Sequence, residues 1–242
     1  MSADTHTPNT AMVLAAGLGK RMRSFSSKVS KPMVEVAGIS LINRVLNKLD
    51  EAKIAKAVVN LHHKADQLEE HLNKRTSEPT IVFSFEKHEL LETGGGVKNA
   101  LPLLGEDAFF VINSDALWDD GETGALANMQ SVWDEEKMDV LLLVYDTEKL
   151  ANYSGNGDFY MDEAGVLTRP NDAKPKPFIF TGVQIINPAL MAQFPDGIFS
   201  LNKVYDKANL AGRLYGVSHS GMWHHVGSGE EVQAAEKYYA QK

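Results

Sequence analysis

The chain has 242 residues, 43% of them hydrophobic and 23% charged, with a formal net charge of -8 and no cysteine. That length allows one large domain or two small ones, with a core of normal size. The acid excess excludes a broadly basic nucleic-acid or membrane face, so any phosphate ligand needs a local cationic site. The missing cysteines exclude disulfides, zinc–thiolate centres and cysteine nucleophiles.

No apolar run approaches the roughly 18–20 residues that span a bilayer. Met1 to Thr10 is polar, without the pattern of a signal peptide, and is expected to be a disordered tail. The expected compartment is the cytoplasm. Order is expected from Ala11, where Ala11 to Ala16 forms an apolar run closed by Gly17, consistent with a buried strand. A glycine- and base-rich loop follows, to about Ser30. Ser40 then precedes Leu41, Ile42, Val45, Leu46 and Leu49, the spacing of one helical face behind a serine cap. Lys56 to Leu61 reads as a strand, Ala65 to Leu72 as a helix, and Ile81 to Phe85 as a strand. Val97 to Leu104 reads as a helix that Pro102 ends early. Phe109 to Ile112 is a further buried strand that stops at Asn113-Ser114-Asp115.

Strands alternating with helices at this spacing predict an α/β fold with a mostly parallel sheet covered on both faces. The second half is less regular. Val140 to Tyr145 and Phe178 to Ile186 read as strands, Tyr153 to Arg169 as a hairpin of short strands, Pro188 as the start of a short helix, and Glu230 to Tyr239 as a terminal helix. With no repeat and no linker, residues 11–242 are expected to form one domain, with a nucleotide-binding half to about residue 120 and a substrate-facing half after it.

Three features carry chemistry, each with an ordinary alternative. Leu14-Ala15-Ala16-Gly17-Leu18-Gly19-Lys20-Arg21-Met22 follows the first strand. Its glycines permit close backbone approach, successive N–H groups can cradle phosphate oxygens, and Arg21 adds a forked cation. Lys31-Pro32 supplies a second cation ten residues on. Alone, the glycine pair could be a strand-to-helix turn. Glu92-Thr93-Gly94-Gly95-Gly96 could likewise be a plain turn, or a bare-backbone stretch against which a flat base lies. Asp115 ends an apolar strand, where an open α/β sheet forms its ligand crevice; it suits a hard cation such as Mg²⁺, or is a turn aspartate. The third glycine of a dinucleotide fingerprint and the ending of a P-loop are both missing, which counts against an NAD-binding dehydrogenase.

The strand, then Leu-Ala-Ala-Gly-x-Gly-x-Arg, then Lys-Pro, resembles the opening of the sugar-phosphate nucleotidyltransferases, and the resemblance runs from about Ala11 to Lys237. It implies a Rossmann-like three-layer α/β/α nucleotidyltransferase fold with a mostly parallel mixed sheet. It also implies transfer of a nucleotide from a nucleoside triphosphate to a sugar 1-phosphate with release of pyrophosphate. By that resemblance Arg21, Lys31 and Asp115 are catalytic. Ala15, Ala16, Gly17, Leu18, Gly19, Lys20, Glu92, Thr93, Gly94, Gly95, Asn113, Asp158 and Gly182 bind substrate. The Glu-Thr-Gly-Gly-Gly form resembles short bacterial members, which implies UTP and N-acetylmuramic acid α-1-phosphate as substrates in peptidoglycan recycling. GTP with a mannose- or heptose-type 1-phosphate is the alternative, and a catalytically impaired nucleotide-sugar-binding module is the non-enzyme alternative.

Trp223-His224-His225-Val226-Gly227 departs from the pattern, because many relatives carry an aspartate as second metal ligand where this chain has His225. Imidazole suits transition metals better than Mg²⁺. Three readings follow: His225 ligates a metal such as Mn²⁺, or Asp115 and the phosphates hold Mg²⁺ with waters, or the chain is weakened. Asn156-Gly157-Asp158-Phe159, behind Gly155, and Phe180-Thr181-Gly182 resemble sugar-pocket segments but could equally be a turn and a strand end. His62 and His63 read as ordinary loop histidines and Trp118 and Trp133 as packing residues; Lys174 and Lys176, between prolines, read as a solvated loop, with a phosphate contact as the alternative. Oligomeric state is not readable.

Overall fold

A computed structural model describes residues 7–19, 29–87, 89–121, 123–150, 153, 155–170 and 174–241. The strands in chain order are β1 (Thr10–Leu14), β2 (Glu35–Val36), β3 (Ile39–Ser40), β4 (Lys56–Leu61), β5 (Thr80–Phe85), β6 (Phe109–Asn113), β7 (Ala116–Trp118), β8 (Val140–Asp146), β9 (Tyr160–Met161), β10 (Leu167–Thr168), β11 (Phe178–Ile186), β12 (Leu214–Ser218) and β13 (Trp223–His225). The helices are α1 (Leu41–Glu51), α2 (Ala65–Asn73), α3 (Glu92–Leu104), α4 (Ala125–Val132), α5 (Pro188–Ala192), α6 (Asn202–Leu210) and α7 (Gly229–Tyr239).

The main sheet has the order β12-β8-β11-β6-β1-β4-β5. Strand β11 runs antiparallel to both β6 and β8, and the remaining pairings are parallel. Alternation along the strands fills both faces. Ala11, Val13, Phe110, Ile112, Leu141 and Leu143 point to one side, where α1, α2 and α4 pack. Met12, Phe109, Val111, Val140, Leu142 and Val144 point to the other, where α3, α5 and α6 pack. Strands buried on both faces read as near-continuous apolar runs, as these do. A smaller cluster joins Val232 and Ala235 of α7 to Val34, Val36, Leu41 and Leu117.

The fold is therefore the three-layer α/β/α arrangement with a mostly parallel mixed sheet. Helix α1 forms because five apolar side chains recur on one face, and all five are buried. Burying each stabilises by about 1.5–3 kcal/mol relative to exposure. The Ser40 side chain accepts from the Asn43 N–H at its start.

Several boundaries differ from the sequence expectation. Strand β1 starts at Thr10 and ends at Leu14, so Ala15 and Ala16 are buried loop residues. Order precedes Ala11: the Ala55 N–H donates to the carbonyl of Asn9, and Gln130 donates to that of Pro8. Helix α3 starts at Glu92 rather than Val97, taking the three glycines into its first turn. It also runs past Pro102, which lies exposed near its end and disturbs little. Strands β7, β12 and β13, the β2–β3 hairpin and helices α4 and α6 were not apparent from periodicity.

Candidate active site

The sheet order reverses at β1: the chain moves from β1 to β4 and β5 on one side, then returns to β6 on the other. A crevice opens beyond the strand ends at such a switch point. The loops after β1, β5 and β6 meet there with Asn60 near the end of β4. Ser114 N–H donates to the Leu14 carbonyl at 3.1 Å, tying the ends of β1 and β6 together.

The first chamber, about 470 Å³, is lined by Ala15, Ala16, Gly17 and Gly19 after β1, Lys31 and Pro32, Asn60, Leu90, Glu92 and Thr93 before and within α3, Asn113 to Asp115, Ser200 and Gly227. Leu18 is not among the lining residues; its side chain is exposed. Lys20 and Arg21 lie outside the described residues. Lys31, in a short 3-10 turn from Lys31 to Met33, forms an ion pair with Asp115. Both side chains are largely buried, 14% and 22% exposed, so salt screens the pair less than an open surface one.

The glycine triplet does not offer bare backbone to the crevice. Gly94 and Gly95 donate their N–H groups to the Phe199 carbonyl at 2.8 and 3.0 Å. A Cβ on Gly95 would lie 2.1 Å from the Gly197 carbonyl oxygen, and one on Gly94 2.4 Å from the Phe199 ring. These glycines let α3 pack against the 197–199 segment, while Glu92 and Thr93 face the chamber. Glu92 holds a left-handed φ of 60°, unfavourable for a residue with a side chain.

Beneath this chamber runs a buried polar chain. Ala15 N–H donates to Asn60 Oδ1 at 2.7 Å, and Asn60 Nδ2 donates to Glu86 Oε1 at 2.6 Å. The other Glu86 oxygen accepts from Leu91 N–H at 2.9 Å. Neither Asn60 nor Glu86 belongs to a motif of the sequence, although a polar residue inside the apolar run of β4 is a usable signal for the first.

The second chamber, about 750 Å³, shares Asn113 and Asp115 with the first and extends along Lys149, Tyr153, Gly155, Asp158, Ile179 to Gly182, Met222 to His225, and Glu231. Gly182, at φ 90°, sits where the β11–β8 register shifts, and a Cβ there would lie 2.9 Å from Asn113 Nδ2. Asp158 accepts from Phe180 N–H at 2.9 Å, which fixes its carboxylate beside the bulge. Trp223 donates its ring N–H to the Thr181 carbonyl at 3.0 Å. Burial lowers the pKa of His224, whose ring lies 4.8 Å from that of Tyr238. Trp118 and Trp133 are core residues, and Lys174 and Lys176 are not among those lining either chamber.

The β7–β13 ladder places His225 opposite Ala116, one residue beyond Asp115, so the segment carrying His225 does reach the Asp115 side of the crevice. His225 is exposed there. Among the described residues no group of three or more His, Cys, Asp or Glu side chains could hold a metal ion. The Asp115 carboxylate at the junction offers oxygen donors of the kind a hard cation takes.

A family model for nucleotidyl transferases matches residues 10–171. The chain belongs to the nucleotidyl transferase family. It is 40% identical over 240 residues, 98% of this chain and 99% of the other, to the N-acetylmuramate alpha-1-phosphate uridylyltransferase of Caulobacter vibrioides. It is 32% identical to the protein of that name from Neisseria meningitidis, over 90% of this chain and 93% of the other. Among solved structures, UTP-bound UGPase from Acinetobacter baumannii superposes with a TM-score of 0.78, at 19% identity, covering 96% of this chain and 93% of that one. At that identity the last comparison bears on the fold alone. No helix among the described residues of this nucleotidyl transferase is long and apolar enough to cross a membrane.

Proposed function

We propose that the protein transfers a uridylyl group from UTP to N-acetylmuramic acid α-1-phosphate, releasing pyrophosphate, in the cytoplasmic recycling of peptidoglycan. The observation that carries the reaction type is the pair of chambers that meet at Asn113 and Asp115. The likeness along the full length of the Caulobacter protein supports the choice of substrates. Nucleic acid and membrane are not partners in this reading.

The triphosphate lies in the first chamber along the 15–19 backbone, and the sugar phosphate in the second beside Asp158 and Gly182. An oxygen of the sugar phosphate forms a bond to the α-phosphorus. The bond from that phosphorus to the bridging oxygen breaks, and pyrophosphate leaves with the electron pair. The attacking oxygen is already ionised at neutral pH, so no strong general base is needed. The barrier lies in bringing two anions together and stabilising charge on the leaving group, so positioning and fixed positive charge dominate. Lys31 and Arg21 supply that charge. Asp115 would hold Mg²⁺, which when bound neutralises phosphate charge; His225 makes Mn²⁺ the alternative ion.

The test is pyrophosphate release from UTP, GTP, CTP and dTTP, each against N-acetylmuramic acid, N-acetylglucosamine, glucose and mannose 1-phosphates, with Mg²⁺ and Mn²⁺ in parallel. Turnover should be greatest with UTP and N-acetylmuramic acid 1-phosphate. Preference for GTP and mannose 1-phosphate would keep the reaction and overturn the substrates. Binding of UTP without release under either metal would indicate a nucleotide-sugar-binding module.

A further inference from the structure

We infer that Glu86 is a positioning residue that sets nucleotide affinity by fixing the direction of the buried hydrogen-bond chain under the first chamber. The inference rests on the reading that this chamber holds the nucleoside triphosphate.

Glu86 follows β5 and is 3% exposed, yet among the described residues no cation forms an ion pair with it. An isolated buried carboxylate is strongly disfavoured unless donors meet its oxygens. Here both oxygens are met, from Asn60 Nδ2 at 2.6 Å and from Leu91 N–H at 2.9 Å. Each polarity is dictated from outside. The Ala15 N–H can only donate, so the carbonyl oxygen of Asn60 must face it and the Asn60 amino group must face Glu86. The Leu91 N–H can also only donate. A side chain between two donors must accept at both ends, which a carboxylate does and an amide of the same shape does not.

One carboxylate thus joins the start of the loop after β1, the end of β4 and the residue that opens α3. Ala15 and Asn60 line one wall of the chamber, and Leu90 and Glu92 flank Leu91 on the other. The first turn of α3 closes over the pair: a Cβ on Gly96 would lie 2.8 Å from Glu86 Oε1 and 2.9 Å from Asn60 Nδ2. Glu86 is not among the residues lining either chamber, so it acts through the backbone it holds.

The experiment uses three variants of the full chain. Glu86→Gln leaves one acceptor for two donors, so either Leu91 N–H is orphaned or Asn60 turns its amino group against Ala15 N–H. The KM for UTP should rise about tenfold or more, the cost of a lost charge-assisted bond, with the KM for the sugar 1-phosphate and kcat changed less than about threefold. Asn60→Asp should fail in the same way, by opposing two carboxylates. The double variant Asn60→Asp/Glu86→Gln reverses the polarity. The introduced amide donates to the introduced carboxylate and accepts from Leu91 N–H, while that carboxylate still accepts from Ala15 N–H. It should recover most of the UTP affinity lost in Glu86→Gln, including where that single variant folds poorly.

An unchanged UTP KM in folded Glu86→Gln, or a double variant no better than the single, overturns the inference. Direct UTP titration of the unmodified protein separates the two levels. Absence of UTP binding there defeats the reading of the chamber; equal binding by the unmodified protein and Glu86→Gln defeats the role of Glu86.

Discussion

Asp115, with Asn113, lines both chambers, and Lys31 holds its carboxylate in place. Removing one preorganised charged group from a site that works by electrostatic stabilisation commonly costs about 10²–10³ in rate. Asp115→Ala, and Arg21→Ala by the same reasoning, should therefore lose at least that much turnover in a pyrophosphate-release assay; near-normal activity in either purified variant would remove that residue from the mechanism. Lys149 bears on a different choice. Among the described residues it is the lysine or arginine that lines the second chamber, and it is exposed, with Nζ 6.0 Å from the Tyr145 ring centre. N-acetylmuramic acid differs from N-acetylglucosamine by a carboxylate-bearing ether. Lys149→Met should raise the KM for N-acetylmuramic acid 1-phosphate by about 5–10-fold, a discounted charge-assisted bond, and leave that for N-acetylglucosamine 1-phosphate alone. Equal effects on both sugars would assign Lys149 no part in the choice. Asp115 could be seen in the sequence because a polar residue closing an apolar strand marks a sheet edge. Glu86 could not, because its meaning depends on partners 26 positions back at Asn60 and, through it, 71 positions back at Ala15.

At the scale of the element, α3 and the loop after β1 both contain glycines, for opposite reasons. Gly95 is glycine because the Gly197 carbonyl occupies the space of a side chain. Gly95→Ala should destabilise the fold by about 1–3 kcal/mol or more, the usual cost of overpacking, read as a lower urea midpoint. Among the described residues, a Cβ on Gly17 would meet nothing within 4 Å. Gly17→Ala should therefore keep the unliganded midpoint within about 0.5 kcal/mol while raising the KM for the triphosphate, since the methyl group would stand where phosphate oxygens approach. A midpoint loss at Gly17 as large as that at Gly95 would contradict this division. Sequence alone treats both as turn glycines. Helix α1 was legible because its apolar positions recur over three turns, and β4 and β11 because they are continuous apolar runs. Strands β7 and β13, three residues each, are too short to carry a period, and α6 buries only Val204, Tyr205 and Ala208.

Across the whole molecule, burial lowers the pKa of His71, His219 and His224 from the ordinary 6.5. Each is held neutral in the fold and gains its proton more easily when unfolded. Their contribution to stability is fully present above about pH 6.5 and is lost as pH falls below it toward the folded-state values. The melting temperature should thus decline as pH falls below about 6.5, and His219→Gln should flatten the decline; a level profile below that pH would contradict the assignment.

The two chambers have Asn113 and Asp115 in common and otherwise separate linings. Substitutions of Lys149, Tyr153, Gly155 or Asp158, or among residues 179–182 and 222–225, can therefore reshape the second chamber without altering a side chain that lines the first. With the triphosphate proposed for the first chamber and the sugar phosphate for the second, such an arrangement would let a lineage exchange its acceptor while inheriting its donor intact, by drift in the irregular half of the chain.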